Sequence, residues 1–157
     1  MKKIIFGIAV ALYLILCNLS SHAQWKIDRN KIVTGSLMFV AGGAKGFNET
    51  LQFHYDNFKK VFPGANDHWF NPDISWQNKY KHNDPAEGAR FPLSTSVLVF
   101  VTDQYHLNNF IQRAGITAAI VLKIGHKQKF KYYVYDFLYY TACYQAGFAL
   151  TYYSFKK

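Results

Sequence analysis

The sequence predicts a mainly α-helical protein: a small membrane bundle of three helices, or four if the first apolar segment is retained, with an aromatic-rich connecting loop. Three observations predict it. Apolar residues recur at the helical period through two separate blocks. A C-terminal stretch of 24 residues, Tyr132 to Phe155, carries no Lys or Arg. The N-terminus has the form of an export signal.

That signal comes first along the chain. Met1-Lys2-Lys3 is a short positive region, Ile4 to Leu16 is apolar and uncharged, and Ser21 and Ala23 place small residues before Gln24. The pattern predicts a secretory signal peptide over residues 1–23, cleaved after Ala23, ahead of a single helical membrane domain over residues 24–157. An uncleaved first helix is the alternative, although an apolar run of this length is short for a full span. Cys17 does not mark a lipoprotein, because Leu16 stands where a small residue should precede a lipidated cysteine.

Charge and cysteine content narrow the class further. The whole chain carries 18 Lys+Arg against 9 Asp+Glu. Loss of Lys2 and Lys3 leaves 16 against 9, a balance of +7. On an exported protein that balance points to anionic lipid headgroups rather than to nucleic acid. After processing Cys143 is the one remaining cysteine, so no internal disulfide can brace the fold. A short exported chain without that brace needs a large core, or lipid in its place.

Residues 31–62 form the first apolar block. At 100° per residue, Phe47, Leu51, His54, Phe58 and Phe62 share a stripe, while Lys45, Glu49, Gln52, Asp56 and Lys59 fall opposite. Pro63-Gly64 ends that helix. Upstream, Gly42 and Gly46 have the small-xxx-small spacing that lets helices approach closely in lipid; local flexibility at the Gly42-Gly43 pair is the other reading. Residues 63–92 hold Pro-Gly, Asn-Pro and Asp-Pro turn signals around Trp69, Phe70 and Trp76. So many large aromatics predict an ordered cap at the membrane–water boundary, where Trp and Tyr are favoured. A ligand-binding loop is the sharper alternative.

The second block, about 94–125, is again helical in period. Val99, Phe100, Asp103, Leu107, Phe110 and Ala114 share one face; Gln104, Tyr105, Asn108 and Gln112 lie on the other. Gly125 and a basic turn, residues 126–131, close it. In the third block 11 of the 24 residues are aromatic, with Tyr132, Tyr133, Tyr152 and Tyr153 at its ends in the manner of an interfacial belt. A buried helix of a soluble bundle would read similarly.

Polar residues in apolar surroundings are the candidates for chemistry. Asp103 sits mid-face, where an unpaired carboxylate is costly, and His106 lies within its reach three residues on. His54 centres a phenylalanine-rich stripe. Were the two stripes to pack together, Asp103, His106 and His54 would converge as a catalytic or metal-binding cluster, since imidazoles and carboxylates are both proton carriers and first-row metal ligands. Asp136 is a fourth candidate. Two plainer readings compete: a hydrogen bond that sets helix register, and Asp103 as the N-cap of a helix starting near Gln104. Glu49 and His54 fall on opposite sides of their helix, and Cys143 reads as a packed thiol. Residues 42–46 lack the Lys-Ser/Thr ending of a phosphate loop.

Trp69-Phe70-Asn71-Pro72, Ser75-Trp76, Asn78-Lys79-Tyr80-Lys81, Asp84-Pro85, Thr102-Asp103 and His106-Leu107, behind a signal ending Ala23-Gln24, resemble small exported envelope proteins of the Bacteroidota. The likeness covers about residues 40–150. It implies one exported, membrane-associated domain and assigns no catalytic role. The expected function is a non-enzymatic integral membrane protein of the bacterial envelope, acting through lipid or protein contacts, the protein partner being another envelope protein or a second copy of the chain. An intramembrane hydrolase built on the Asp/His cluster, with or without a metal, is the alternative. A proton- or ion-conducting oligomer is the third reading.

Overall fold

The computed structural model describes residues 25–156, so the signal expected at residues 1–23 lies outside the described residues. Helices dominate, and no strand forms among the described residues; one antiparallel bridge joins Tyr80 to Ala89. Three long helices make the body: α1 (Arg29–Phe53), α5 (Gln104–Lys123) and α6 (Phe130–Tyr152). Between α1 and α5 lie α2 (Tyr55–Val61), α3 (Asp67–Phe70), α4 (Pro72–Ser75) and four 3₁₀ turns. The aromatic connection is thus an ordered cap of short helical pieces rather than one extended loop.

Local chemistry sets the helix boundaries. Asp28 caps α1 by accepting from Lys31 N at 2.8 Å. The first block breaks at His54, whose φ of −137° leaves the helix before α2 resumes the same stripe. Phe58 anchors that stripe, with its ring against Phe47, Phe62, Phe70 and Phe155. Asn66, Asn71 and Asp84 cap the short pieces that follow through their own side chains.

α1 is the hub. Both α5 and α6 pack along it, while their own backbones stay apart, joined by side-chain bonds such as Gln112 to the Tyr144 hydroxyl (2.9 Å) and Lys123 to Asp136 (2.8 Å). A groove of about 490 Å³ therefore opens between them, lined by Thr34, Met38, Ile116, Ala119, Ile120 and Phe137 among others. Contact with α6 is made backbone to backbone. A Cβ at Gly42 would collide with the carbonyl of Tyr144, and one at Gly147 with the carbonyl of Phe39. Gly42 and Gly46 are packing positions, which decides between the two readings of that glycine pair.

The second block departs from expectation in two respects. Its helix begins at Gln104, not near residue 94; Val99–Val101 is a 3₁₀ turn, and Asp103 is extended (φ −160°, ψ 167°). Asp103 is therefore not on the helix face where the period placed it. Its carboxylate competes for the first free N–H groups of the helix, which fixes the start there. The face is also reversed. Asn108, Gly115 and Ala119 are buried against α1, while Phe110 is 48% exposed. Hydrogen bonds from Asn48 and Asn108 to one another's helix account for this reversal. No described helix is long and apolar enough to cross a membrane, and this includes α6, in which tyrosines, Gln145 and Asp136 lower the mean hydropathy.

Candidate functional site

Asp103 is fully buried and makes three contacts. Its Oδ1 accepts from the backbone N–H of His106 at 2.9 Å, closing the N-cap. Its Oδ2 lies 2.6 Å from His106 Nδ1 and 3.0 Å from the Thr102 hydroxyl. A carboxylate at that distance accepts a proton donated from Nδ1, so in the neutral imidazole Nε2 is the ring nitrogen that carries the lone pair. Among the described residues nothing hydrogen-bonds to Nε2. The N-cap reading and the Asp–His pair therefore hold together: one carboxylate serves the helix with one oxygen and the imidazole with the other.

The cap braces this pair from the other side. Asn78, itself buried, donates to the carbonyl of Thr102 at 3.1 Å and to that of His68. Ser94, fully buried, donates to the carbonyl of Lys79 at 2.7 Å, and Arg90 N–H reaches the same carbonyl at 2.9 Å. Trp69 Nε1 donates to Gln104 Oε1 at 2.9 Å, tying α3 to the first residue of α5. The result is a cleft of about 360 Å³ between cap and bundle, lined by Gln52, Ser75, Trp76, Lys79, Asp103 and His106, with Asp73 and Tyr105 at its margins.

Two groups in the lining of this cleft stand out. Ser75 is buried, and its Oγ has no hydrogen-bond partner among the described residues, a costly state for a hydroxyl. Lys79 Nζ lies over the rings of Trp76 (5.8 Å) and Tyr80 (5.4 Å) without an ion-pair partner among the described residues. Neither Ser75 nor Lys79 carries a sequence signal. Both sit in a turn-rich segment, where no period can show which side chains face inward.

The other candidates are placed elsewhere. His54 pairs through Nε2 with the Tyr152 hydroxyl at 3.2 Å and stacks near that ring, joining the end of α1 to the end of α6. It does not line the Asp103–His106 cleft. Among the described residues no group of three or more His, Cys, Asp or Glu is placed to hold a metal ion. Asp136 is buried at the far end of the bundle, paired with Lys123 at 2.8 Å and accepting from Gln128 (2.8 Å) and Trp25 (2.9 Å). That network pairs both carboxylate oxygens.

Nothing matches this chain among protein-family models, curated proteins or solved structures. The site must be read from its own geometry.

Proposed function

We propose that the chain is a membrane-embedded helical protein of the bacterial envelope, with its bundle held in lipid and its aromatic cap in water. One observation carries the reading: the distribution of polarity is inverted. Few large apolar side chains are buried, Leu51 and Phe58 chief among them, whereas Asn48, Thr34, Thr50, Asn108, Asp103 and Asp136 are inside. Outside stand Ile32, Val40, Phe110, Ile120, Val121 and Phe137, each roughly half exposed or more. In water that arrangement forfeits the main driving force of folding. In hydrocarbon it is the favourable one, because small and polar residues then hold helices together from within.

Whole-helix hydropathy averages the inward polar stripe with the outward apolar one, and only the outward one meets lipid. The three long helices, of 25, 20 and 23 residues, have about the length of a bilayer core at 1.5 Å per residue. Exposed Lys127 and Lys129 in the turn after α5, with Lys131 in the first turn of α6, suit an anionic headgroup layer. The groove between α5 and α6 has the dimensions and lining to receive acyl chains.

Vesicle flotation tests this reading. The full chain, processed or not by its host, should rise with vesicles of mixed phosphatidylglycerol and phosphatidylcholine, and should stay with them in 1 M salt, about where surface charge is screened within 3 Å. A monomer that remains at the bottom of the gradient in plain buffer contradicts it. Self-association in the absence of vesicles would instead assign the apolar surface to a second copy.

A further inference from the structure

We propose that the cleft between cap and bundle hydrolyses carboxylic esters, with His106 as the general base. The claim goes beyond membrane residence and rests on different residues. Asp103 locks Nδ1 from a fully buried position, and His106 lines the cleft with no hydrogen-bond partner on Nε2 among the described residues, which is the arrangement a base needs to take a proton from water. Ser75 lies in the wall of the same cleft, its hydroxyl closed off from solvent and without a partner among the described residues. Lys79, the one Lys or Arg among the described residues lining the cleft, brings positive charge to it for the oxyanion of the tetrahedral intermediate.

Charge decides the substrate class. Around His106 the cleft presents Asp103 from the start of α5, Asp73 from α4 and Lys79 from the 3₁₀ turn, together with the neutral Tyr105 and Gln52. Two carboxylates against one ammonium disfavour an anionic phosphate ester and admit a neutral carboxylic ester. Trp76, exposed in the cleft lining, favours an ester carrying an apolar chain.

In the reaction, His106 Nε2 takes one proton from a water molecule as the water oxygen bonds to the ester carbonyl carbon. The tetrahedral intermediate then breaks its bond to the alkoxy oxygen, and the proton on Nε2 passes to that departing oxygen. Ester and water become carboxylic acid and alcohol, with no other reactant consumed. Asp103 is a positioning residue, since it acts through the imidazole.

The test uses the full chain in mixed micelles with p-nitrophenyl butyrate, p-nitrophenyl palmitate and bis-p-nitrophenyl phosphate. Both carboxylic esters should turn over and the phosphodiester should not. His106→Gln should lower kcat about 100-fold or more. Asp103→Asn keeps a good N-cap, so the helix content and melting temperature should stay near wild type while kcat falls at least about tenfold at unchanged KM. Lys79→Met, which removes positive charge from the developing oxyanion, should lower kcat with little change in KM. Failure of the wild-type chain to cleave either carboxylic ester overturns the proposal, as do equal rates in His106→Gln and wild type, or turnover of the phosphodiester alone. Preference for palmitate over butyrate rests on the membrane reading. Butyrate cleavage without that preference would retain the hydrolytic site and count against the lipid setting.

Discussion

Asp103 shows how one side chain can carry two duties whose losses are separable. Replacing it by alanine removes the cap and leaves the His106 Nδ1–H without its acceptor. The expected destabilisation is about 2 kcal/mol, read from a chemical denaturation midpoint, against about 0.5 kcal/mol or less for asparagine. Equal losses in the two variants would mean that charge, not capping, holds the start of α5. Asp67 offers a second test at this scale. Lys59 at 2.8 Å and the Tyr55 hydroxyl at 2.6 Å hold its carboxyl below the ordinary carboxylate range. For Tyr55, burial first and the bond to Asp67 second raise the phenol well above its usual value. A carboxyl depressed in the folded state stabilises it above the unfolded pKa of 3.8, and that contribution is lost as the pH falls through the lower, folded value. Acidification below about pH 4 should therefore loosen the clasp between α2 and α3, seen as a change in Trp69 fluorescence that Asp67→Asn already shows at neutral pH. A flat response in the wild-type chain would contradict the clasp.

Element by element, the helical blocks were legible in the sequence and their facing was not. The stripe through Phe47, Leu51 and Phe58 is where the period put it, because those side chains pack on one another in the ordinary way. α5 inverted the expectation, since period identifies two faces and only the surroundings decide which is buried. Asn108 packs inward because Asn48 on α1 satisfies it at 2.8 Å, a partner 60 residues away that no local pattern encodes. The break at His54 and the extended Asp103 were similarly hidden: the one is a helix interruption without proline, the other a cap embedded in an apolar run. In the cap, Asn78, Ser94 and Ser75 became visible only through long-range contacts to backbone carbonyls or through the lack of any partner. The glycine spacing, by contrast, was a usable signal. Gly42→Ala should push α1 from α6 and cost about 1–3 kcal/mol, while Gly43→Ala, whose added methyl meets nothing closer than 3.7 Å, should be neutral or slightly stabilising. Thermal melts in the same detergent check the pair, and equal effects would deny the close backbone contact.

For the molecule as a whole, polar and small residues hold the helices together from inside, and the apolar residues look out. On the membrane reading we propose, a chain that buries Asn48 and Asp136 while exposing Phe137 at 67% is organised for a solvent other than water. The cap then has a reason to be aromatic, since Trp and Tyr are at home where lipid meets water, and a cleft beside it is well placed for amphiphiles. Depth measured by spin labels addresses this claim most directly. Single cysteines replacing Val40, Phe137 and Glu87 in a Cys143→Ala background would be labelled, and the chain reconstituted into vesicles. Labels at positions 40 and 137 should be relaxed strongly by oxygen, which concentrates in hydrocarbon, and weakly by a polar nickel chelate; the label at 87 should show the reverse. Nickel accessibility at 40 and 137 equal to that at 87 would place the apolar surface in water and contradict the account.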